Sequence, residues 1–157
     1  MFGITIAAQS PDARLIALDW PNVLTVAREN AAKAGLRDRF DTIAGSAFDV
    51  DWGRDYDLVL LPNFLHHFDR PTNESLLRRA HDALAPGGRV LVVEMVPNDD
   101  RVSPPFPATF SYMMLGGTPS GDAYTLREFE AMARAAGFAH VSSQPLPPSP
   151  QTLITLE

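Results

Sequence analysis

The chain has 157 residues, 45% of them hydrophobic, with a formal net charge of −6 and no cysteine. This length suits a single domain with a real hydrophobic core. The negative charge argues against nucleic acid or an anionic membrane as a partner, and the lack of cysteine excludes disulfides, thiol catalysis and cysteine-ligated metal.

No apolar run approaches the roughly 18–20 residues of a membrane span. The opening stretch, residues 1–8, lacks a basic leader and its apolar run is short, so we expect no secretion signal. The expectation is therefore a soluble, cytoplasmic protein.

Short apolar runs alternate with helical periodicity, which predicts βα units and a mainly parallel sheet. The elements expected first are the tail of a helix, a strand, a helix and a strand, at residues 4–9, 14–18, 22–34 and 40–44. The face of the second helix expected to be buried comprises Val23, Ala27, Ala31 and Ala34. Gly35 is expected to end that helix.

The same alternation continues along the rest of the chain. Strands are expected at residues 56–61, 89–95, 139–143 and 152–156, the last two as an antiparallel pair. Pro71 or Thr72 opens a helix that the turn Pro86-Gly87-Gly88 ends. The inner face of this helix is expected to carry Leu76, Leu77, Ala80 and Leu84. Thr125 and Glu128 form a capping box that begins a further helix, which stops at Gly137.

A histidine follows one buried strand, and a carboxylate ends the next strand along the chain. Parallel sheets bind ligands at the carboxyl ends of their strands, so His66 and Glu94 are expected to meet there. Glu94 follows the apolar run 90–93 and needs a partner for its charge. His66 is then either a general base, since an imidazole has a pKa of about 6.5, or a residue that only packs at a helix start.

The pair His66 and His67, with Asp69 close by, also raises the question of a metal site. Adjacent side chains point about 100° apart on a helix and to opposite faces on a strand, so neighbouring histidines rarely hold one ion. We expect no metal. The remaining groups expected to be structural or solvated are His81, His140 and the turn 99–101.

Three segments are candidates for ligand contacts. Asp19 ends its strand, where a carboxylate accepts both hydroxyls of a ribose and Trp20 covers an adenine, or it is a turn residue. The loop 45–48 follows the next strand and either walls an adenine or is an ordinary surface loop. The apolar segment 106–115 either covers an aromatic substrate or belongs to the core.

The opening of the chain departs from the usual order of a nucleotide-binding α/β domain, which is a strand, a glycine-rich loop and a helix. This chain opens inside the expected first helix, with Gly3 as the only candidate remnant of the loop. We expect a truncated piece of a longer protein, the other interpretation being a fold that has lost its first strand.

Five motifs follow one another in a defined order: Asp19-Trp20, Gly45-Ser46-Ala47-Phe48, Leu65-His66-His67-Phe68-Asp69, Leu84-Ala85-Pro86-Gly87-Gly88 and Glu94. In this order they resemble class I methyltransferases that use S-adenosylmethionine (SAM). More narrowly, the chain looks like the small-molecule O-methyltransferases of the caffeate and acetylserotonin type, including bacterial antibiotic-tailoring members. The resemblance covers nearly the whole chain.

The resemblance implies an α/β, Rossmann-like fold whose sheet is mostly parallel with a C-terminal antiparallel strand. The family's sheet runs in the order 3-2-1-4-5-7-6, and its first strand, glycine-rich loop and N-terminal dimerisation domain have no counterpart here. Residues 1–157 are then the truncated catalytic domain of a protein whose full-length form is a homodimer.

The implied reaction moves a methyl group from SAM to a hydroxyl of a small aromatic acceptor, with His66 as general base oriented by Glu94. The residues implied for cofactor binding are Gly3, Asp19, Trp20, Ser46, Ala47, Phe48 and Asn63. The residues implied for the substrate are Phe106, Phe110, Met113 and Met114. The family's second acidic residue falls on Ala123, beside Asp122, and His67 and Phe68 replace the family's Asp and Trp.

Two other functions remain open. One is an inactive methyltransferase fragment kept as an interaction or regulatory piece. The other is an NAD(P)-dependent dehydrogenase, which would share the acid that follows the first expected strand. Against the dehydrogenase stand the Leu-Ala-Pro-Gly-Gly turn, the His66–Glu94 pair and the lack of a Tyr-x-x-x-Lys pair.

Overall fold

The computed structural model describes residues 2–157, which form two compact units, one ending at Gly53 and the other running from Arg54 to Glu157. Each unit contains its own sheet and its own helices. No helix among the described residues is both long enough and apolar enough to cross a bilayer.

The first unit places two helices beside a two-stranded parallel sheet. Its elements are α1 (Phe2–Gln9), β1 (Leu15–Asp19), α2 (Pro21–Lys33), a 3-10 helix (Arg37–Arg39) and β2 (Phe40–Ala44). Asp19 lies opposite Ala44 at the carboxyl ends of the two strands. The core of this unit is built from Ala7, Ala31 and Leu36, with Ile4, Ala13, Leu15 and Phe40 packed against it.

The buried face of α2 differs from the predicted one. Leu24 and Ala31 are buried, whereas Val23 is 43% exposed and Ala34, just past the helix, is also exposed. The prediction of Val23 and Ala34 as inward residues is therefore wrong. Leu24 and Ala31 are seven residues apart and share one side of the helix, so the buried stripe starts one residue later than expected. The helix stop at Gly35, with φ +74°, is confirmed.

The second unit is built around a four-stranded mixed sheet. Its elements are β3 (Tyr56–Pro62), a 3-10 helix (Leu65–His67), α3 (Arg70–Ala83), β4 (Leu84–Glu94), α4 (Pro105–Gly117), α5 (Leu126–Ala136), β5 (Val141–Pro145) and β6 (Thr152–Leu156). The strand order is β3-β4-β6-β5, with β3 parallel to β4 and β6 antiparallel to both of its neighbours. α3 and α5 contact each other, and their buried apolar residues include Leu76, Leu77, Ala80, Phe129, Met132 and Ala133.

The boundary between α3 and β4 lies earlier than predicted. The helix ends at Ala83, and Leu84 is already extended, with φ −74° and ψ 145°. The prediction of Leu84 as an inner-face helical residue is wrong, because Leu84 pairs with Tyr56 in the sheet. Pro86 also biases the residue directly before it, Ala85, away from the helix. A Cβ at Gly88 would lie 2.7 Å from the carbonyl oxygen of Tyr56, so glycine permits the close approach of the two strands there.

The start and the end of α5 are as predicted. The Thr125 side chain accepts the N–H of Glu128, and the Glu128 carboxylate accepts the N–H of Thr125 at 2.8 Å. Gly137 ends the helix in the left-handed conformation, with φ +109°. This capping fixes the helix that packs against α3.

Candidate active site

A short segment joins β3 to α3 and carries the candidate histidine. Asn63, just after β3, has a left-handed backbone with φ +53°, which Asn tolerates better than most residues. Its N–H donates to the carbonyl of Val93 at 2.9 Å. The 3-10 helix Leu65–His67 follows, and we call it the histidine turn. Asp69 then caps α3 by accepting the N–H of Thr72 at 2.9 Å, so local hydrogen bonds fix both ends of the segment.

His66 and Glu94 are in direct contact, as predicted. Nδ1 of His66 lies 2.7 Å from Oε2 of Glu94. The side chain of Glu94 is 1% exposed and that of His66 is 10% exposed. The contact follows from the topology, because β3 and β4 are adjacent and parallel and so end at the same edge of their sheet.

The second carboxylate oxygen of Glu94 binds the backbone of the histidine turn. Oε1 accepts the N–H groups of Phe64 and Leu65, both at 2.9 Å, and a longer hydrogen bond from the N–H of His66 at 3.4 Å. Both oxygens of Glu94 therefore act as acceptors. The sequence did not predict these bonds, because every residue except proline has the same backbone N–H group.

The contact with Glu94 decides which imidazole nitrogen carries the proton. An ionised carboxylate only accepts hydrogen bonds, so Nδ1 of His66 donates to it and Nε2 keeps a lone pair. Nε2 is then the basic atom of the ring. An imidazole held in one tautomer by a carboxylate is the arrangement of a general base with its orienting acid.

Two rings flank the imidazole of His66. The ring of Phe110 in α4 meets it edge-on, with centroids 5.0 Å apart and an interplanar angle of 88°. The ring of His67 lies at a centroid distance of 4.2 Å. His67 is exposed, but partial desolvation of its ring, and then the neighbouring charge of His66, lower the pKa of His67, although Glu94 acts in the opposite direction.

The apolar segment after β4 forms the helix α4, which holds the four substrate candidates Phe106, Phe110, Met113 and Met114. Their spacing of i, i+4, i+7 and i+8 places them along one side of the helix. Phe106 is 51% exposed and Met113 is 59% exposed, so the assignment of this segment to the core is wrong for them. The side of α4 that carries Phe110 is thus an apolar strip, with Phe106 and Met113 exposed and Phe110 and Met114 half-buried.

In the first unit, the end of β1 presents a carboxylate and an aromatic ring. Oδ1 of Asp19 accepts the N–H of Trp20 at 2.7 Å, and no donor among residues 2–157 binds its other oxygen. Trp20 is the N-cap residue of α2 and is 57% exposed. Asp19 is therefore a turn residue, and its second carboxylate oxygen is not bound by any residue in the range 2–157.

The loop after β2 lies beside this strand end. The N–H of Gly45 donates to the carbonyl of Asp19 at 3.0 Å. Oγ of Ser46 accepts the N–H of Phe48 at 3.2 Å, which leaves the hydroxyl hydrogen as a donor. Ala47 is partly buried, and Phe48 is 40% exposed. The loop whose backbone binds the carbonyl of Asp19 thus carries a hydroxyl and an exposed ring.

Two residues predicted to bind the cofactor have other contacts in the structure. Gly3 lies within α1, where a Cβ would be 2.8 Å from Cδ1 of Leu15. The expectation of a loop position for Gly3 is therefore wrong, and glycine there permits close packing of the helix on the strand. The side chain of Asn63 accepts a hydrogen bond from the amide of Gln151.

The turn 99–101 is exposed, as expected, but Arg101 also makes ion pairs that the sequence did not reveal. Its guanidinium binds Glu128 at 2.7 and 2.8 Å and Asp122 at 2.9 Å. Burial acts to lower the pKa of Arg101, but the hydrogen bonds to the two carboxylates outweigh it and raise the pKa. These pairs tie the segment after β4 to the start of α5.

No three histidine or carboxylate side chains within residues 2–157 lie close enough together to hold a metal ion. His66 is bound to Glu94, and Asp69 serves as a helix cap. The ring of His81 packs edge-on against Phe138 at 5.0 Å, and His140 is exposed.

The sequence matches the O-methyltransferase domain family over residues 3–139. The chain belongs to this family, whose enzymes take the methyl group from SAM. Membership favours methyl transfer over the dehydrogenase alternative.

Three relatives illustrate the match. The 3-hydroxy-5-methyl-1-naphthoate 3-O-methyltransferase of Streptomyces sahachiroi is 36% identical over 138 residues, or 88% of this chain and 40% of the relative. The S-adenosyl-L-methionine-dependent methyl transferase PigF of a Serratia species is 28% identical over 98% of this chain and 44% of its own length. Its structure with S-adenosylhomocysteine superposes with a TM-score of 0.86, over 98% of this chain and 46% of that one.

A crystal structure from Nostoc punctiforme, assigned to the O-methyltransferases, is 53% identical and superposes with a TM-score of 0.96. The match covers 99% of this chain and 48% of that one. The chain therefore spans less than half the length of each of these relatives.

Proposed function

We propose that this chain carries the methyl-transfer site of a SAM-dependent enzyme that methylates a hydroxyl of a small aromatic molecule. The observation that carries the proposal is the 2.7 Å hydrogen bond between the buried side chains of His66 and Glu94. Removal of a hydroxyl proton during attack requires a base held in one orientation, which this pair supplies.

The chemistry at the ends of β1 and β2 fits SAM. The carboxylate oxygen of Asp19 that no described residue binds suits ribose hydroxyls. The exposed rings of Trp20 and Phe48 suit an adenine face, and Ser46 offers a hydroxyl donor. SAM, when bound, supplies a methyl group on a positively charged sulfur and becomes neutral S-adenosylhomocysteine.

The residues of the second unit act on the acceptor. A phenol, with a pKa of about 10, is almost entirely neutral at neutral pH. Nε2 of His66 takes the hydroxyl proton while the oxygen–methyl bond forms and the sulfur–methyl bond breaks, with the electron pair of the broken bond staying on sulfur. Glu94 stabilises the imidazolium that results.

The strip on α4 supports an aromatic acceptor. Phe110 already packs edge-on against His66, and an aromatic acceptor next to Nε2 would extend this ring packing. Met113 and Met114 follow on the same side, and methionine adapts to irregular ligand shapes. The hydroxynaphthoate named for the Streptomyces relative is an acceptor of this class.

The test is transfer of labelled methyl from SAM, in the intact protein, to a hydroxynaphthoate and to the methyl ether of the same compound. We expect the hydroxyl compound alone to be methylated. His66→Ala should lower kcat by about 10²–10⁴-fold, the usual contribution of a general base, with SAM binding kept. His140→Ala, which removes an exposed histidine, is the matched control and should behave as wild type.

Two results contradict the proposal. One is a folded wild-type protein that binds SAM but methylates no aromatic hydroxyl, which favours an interaction or regulatory role. The other is full activity in His66→Ala, which removes His66 from the mechanism.

A further inference from the structure

Residues without a role in the proposed reaction hydrogen-bond to the backbone carbonyl groups in and next to the histidine turn. Asn73, in the first part of α3, is fully buried. Its Nδ2 donates to the carbonyl oxygens of Leu65, at 2.9 Å, and of Phe68, at 3.2 Å. The two hydrogens of one amide thus bridge the backbone on both sides of His66.

Tyr124 binds the residue that directly follows the histidine turn, Phe68, which Asn73 also binds. Its hydroxyl donates to the carbonyl oxygen of Phe68 at 2.6 Å. Burial, and then the nearby carboxylates of Asp122 and Asp69, raise the pKa of Tyr124 to about 12. The hydroxyl therefore keeps its proton and remains a donor over the neutral pH range.

Gly121 lies directly against the backbone of the histidine turn. A Cβ at this position would be 2.1 Å from the carbonyl oxygen of His66 and 3.0 Å from the carbonyl carbon of His67. The same Cβ would lie 2.6 Å from Oγ1 of Thr118, which already accepts the N–H of Gly121 at 2.7 Å. Any residue other than glycine would therefore push the turn away.

The side chain of Asn73 is bound through its amide hydrogens only. Its Oδ1 is buried and receives no hydrogen bond from any residue in the range 2–157. The side-chain hydrogen bonds of Asn73 therefore go to the backbone around His66 and to no other polar group in that range.

We propose that Asn73, Gly121 and Tyr124 are positioning residues that fix the backbone of the histidine turn and so aim Nε2 of His66. The proposal rests on the proposed function, in which that atom takes the proton of the acceptor. Glu94 holds the turn through its N–H groups, while Asn73 and Tyr124 hold it through its carbonyl groups. Hydrogen bonds to both the N–H groups and the carbonyl groups of this segment thereby fix the orientation of the His66 imidazole.

The kinetic test uses Tyr124→Phe and Asn73→Leu in the intact protein, since both variants remove hydrogen bonds with little change of shape. A displacement of about 1 Å in a reacting group costs on the order of 10²-fold in rate, so we expect kcat to fall by about 10–100-fold. The Kd of SAM should not change. Tyr112→Phe removes the same hydroxyl from a side chain that is 75% exposed and should match wild type.

The close approach of Gly121 to the histidine turn is tested with a second pair of variants. Gly121→Ala should lower kcat, because its methyl group displaces the His66 carbonyl. Gly116→Ala is the matched control, since a Cβ at position 116 meets nothing within 4 Å, and it should leave kcat unchanged. Circular dichroism of each variant establishes that the chain is folded.

A readout that does not depend on catalysis is the exchange with water of the Nδ1 proton of His66, followed by NMR. We expect faster exchange in Tyr124→Phe and Asn73→Leu than in wild type and Tyr112→Phe. If the wild type transfers no methyl group, the proposed function fails and this exchange rate alone decides the positioning role. Folded variants that match wild type in both kcat and proton exchange overturn the inference.

Discussion

The two units differ at the ends of their strands in how many of the polar side-chain atoms are hydrogen-bonded within the protein. At the ends of β3 and β4, His66 and Glu94 are buried, and both oxygens of Glu94 are bound within the unit. At the ends of β1 and β2, Asp19 keeps one oxygen that no residue of 2–157 binds. Trp20 and Phe48 there are 57% and 40% exposed.

The difference fits the two roles proposed above, a general base at the ends of β3 and β4 and a SAM-binding surface at the ends of β1 and β2. A base contributes to rate only when its geometry is fixed before the acceptor arrives, so its partners belong to the protein. A ligand-binding surface needs open acceptors and apolar area that the ligand itself covers. We therefore expect substitutions at the first site to alter folding and turnover, and substitutions at the second site to alter affinity.

The largest effect is expected from Glu94→Ala. It leaves the N–H groups of Phe64 and Leu65 and Nδ1 of His66 without their buried acceptor. A buried donor left without an acceptor costs about 1–3 kcal/mol, so the loss of these three bonds should lower the free energy of unfolding by about 3 kcal/mol or more. Urea denaturation followed by circular dichroism measures it, and a loss below about 1 kcal/mol would show that the pair contributes little.

The next effect is expected from Asp19→Ala. Hydrogen bonds to a charged group contribute about 1.5–3 kcal/mol, so the Kd of SAM should rise by about 10–100-fold while kcat at saturating SAM is kept. Isothermal titration calorimetry measures the affinity. Asp41→Ala removes an exposed carboxylate from the body of β2 and is the control. Equal affinity in the Asp19 and Asp41 variants would dismiss the ribose role.

The sequence predicts features of two kinds: local ones, and contacts that follow from the order of parallel strands. The capping box of Thr125 and Glu128 and the stop at Gly35 are local, and both are confirmed. The contact of His66 with Glu94 was predictable because parallel neighbours end at one edge of a sheet.

Other features depend on partners that are distant in sequence or on backbone atoms. Arg101 pairs with a carboxylate 27 residues away, which no short pattern encodes. Asn73 lies on the buried face of α3, and a search for apolar periodicity does not select a polar residue for that face. The stripe on α2 was missed by one residue because Val23 and Leu24 are both apolar and only packing selects between them.

A smaller effect is expected from Phe110→Ala. An aromatic contact contributes about 0.5–1.5 kcal/mol beyond its buried area, so the KM of an aromatic acceptor should rise by about 2–10-fold. Steady-state kinetics at saturating SAM measures it. Leu115→Ala, which changes a residue of α4 that is 78% exposed, is the control. Identical KM values in the two variants would remove Phe110 from the acceptor site.

The smallest effect is the pH dependence contributed by His67. Partial desolvation of its ring, and then the charge of His66, lower the pKa of His67 below the ordinary value of 6.5. The folded state therefore binds fewer protons than the unfolded state, so this stability is fully present above pH 6.5 and is lost as the pH falls through the lower, folded-state pKa. Urea midpoints of wild type should fall faster with acidification than those of His67→Gln. Parallel curves would contradict this assignment.

The most direct test of the whole account is the tautomer of His66, read from the nitrogen chemical shifts of its imidazole at neutral pH. We predict a protonated Nδ1 and an unprotonated Nε2 in wild type. In Glu94→Gln, whose amide can donate to Nδ1, the proton should move to Nε2, and activity should be lost although the fold is kept. A wild-type imidazole protonated at Nε2, or averaged between both tautomers, would contradict the assignment of His66 as a base oriented by Glu94.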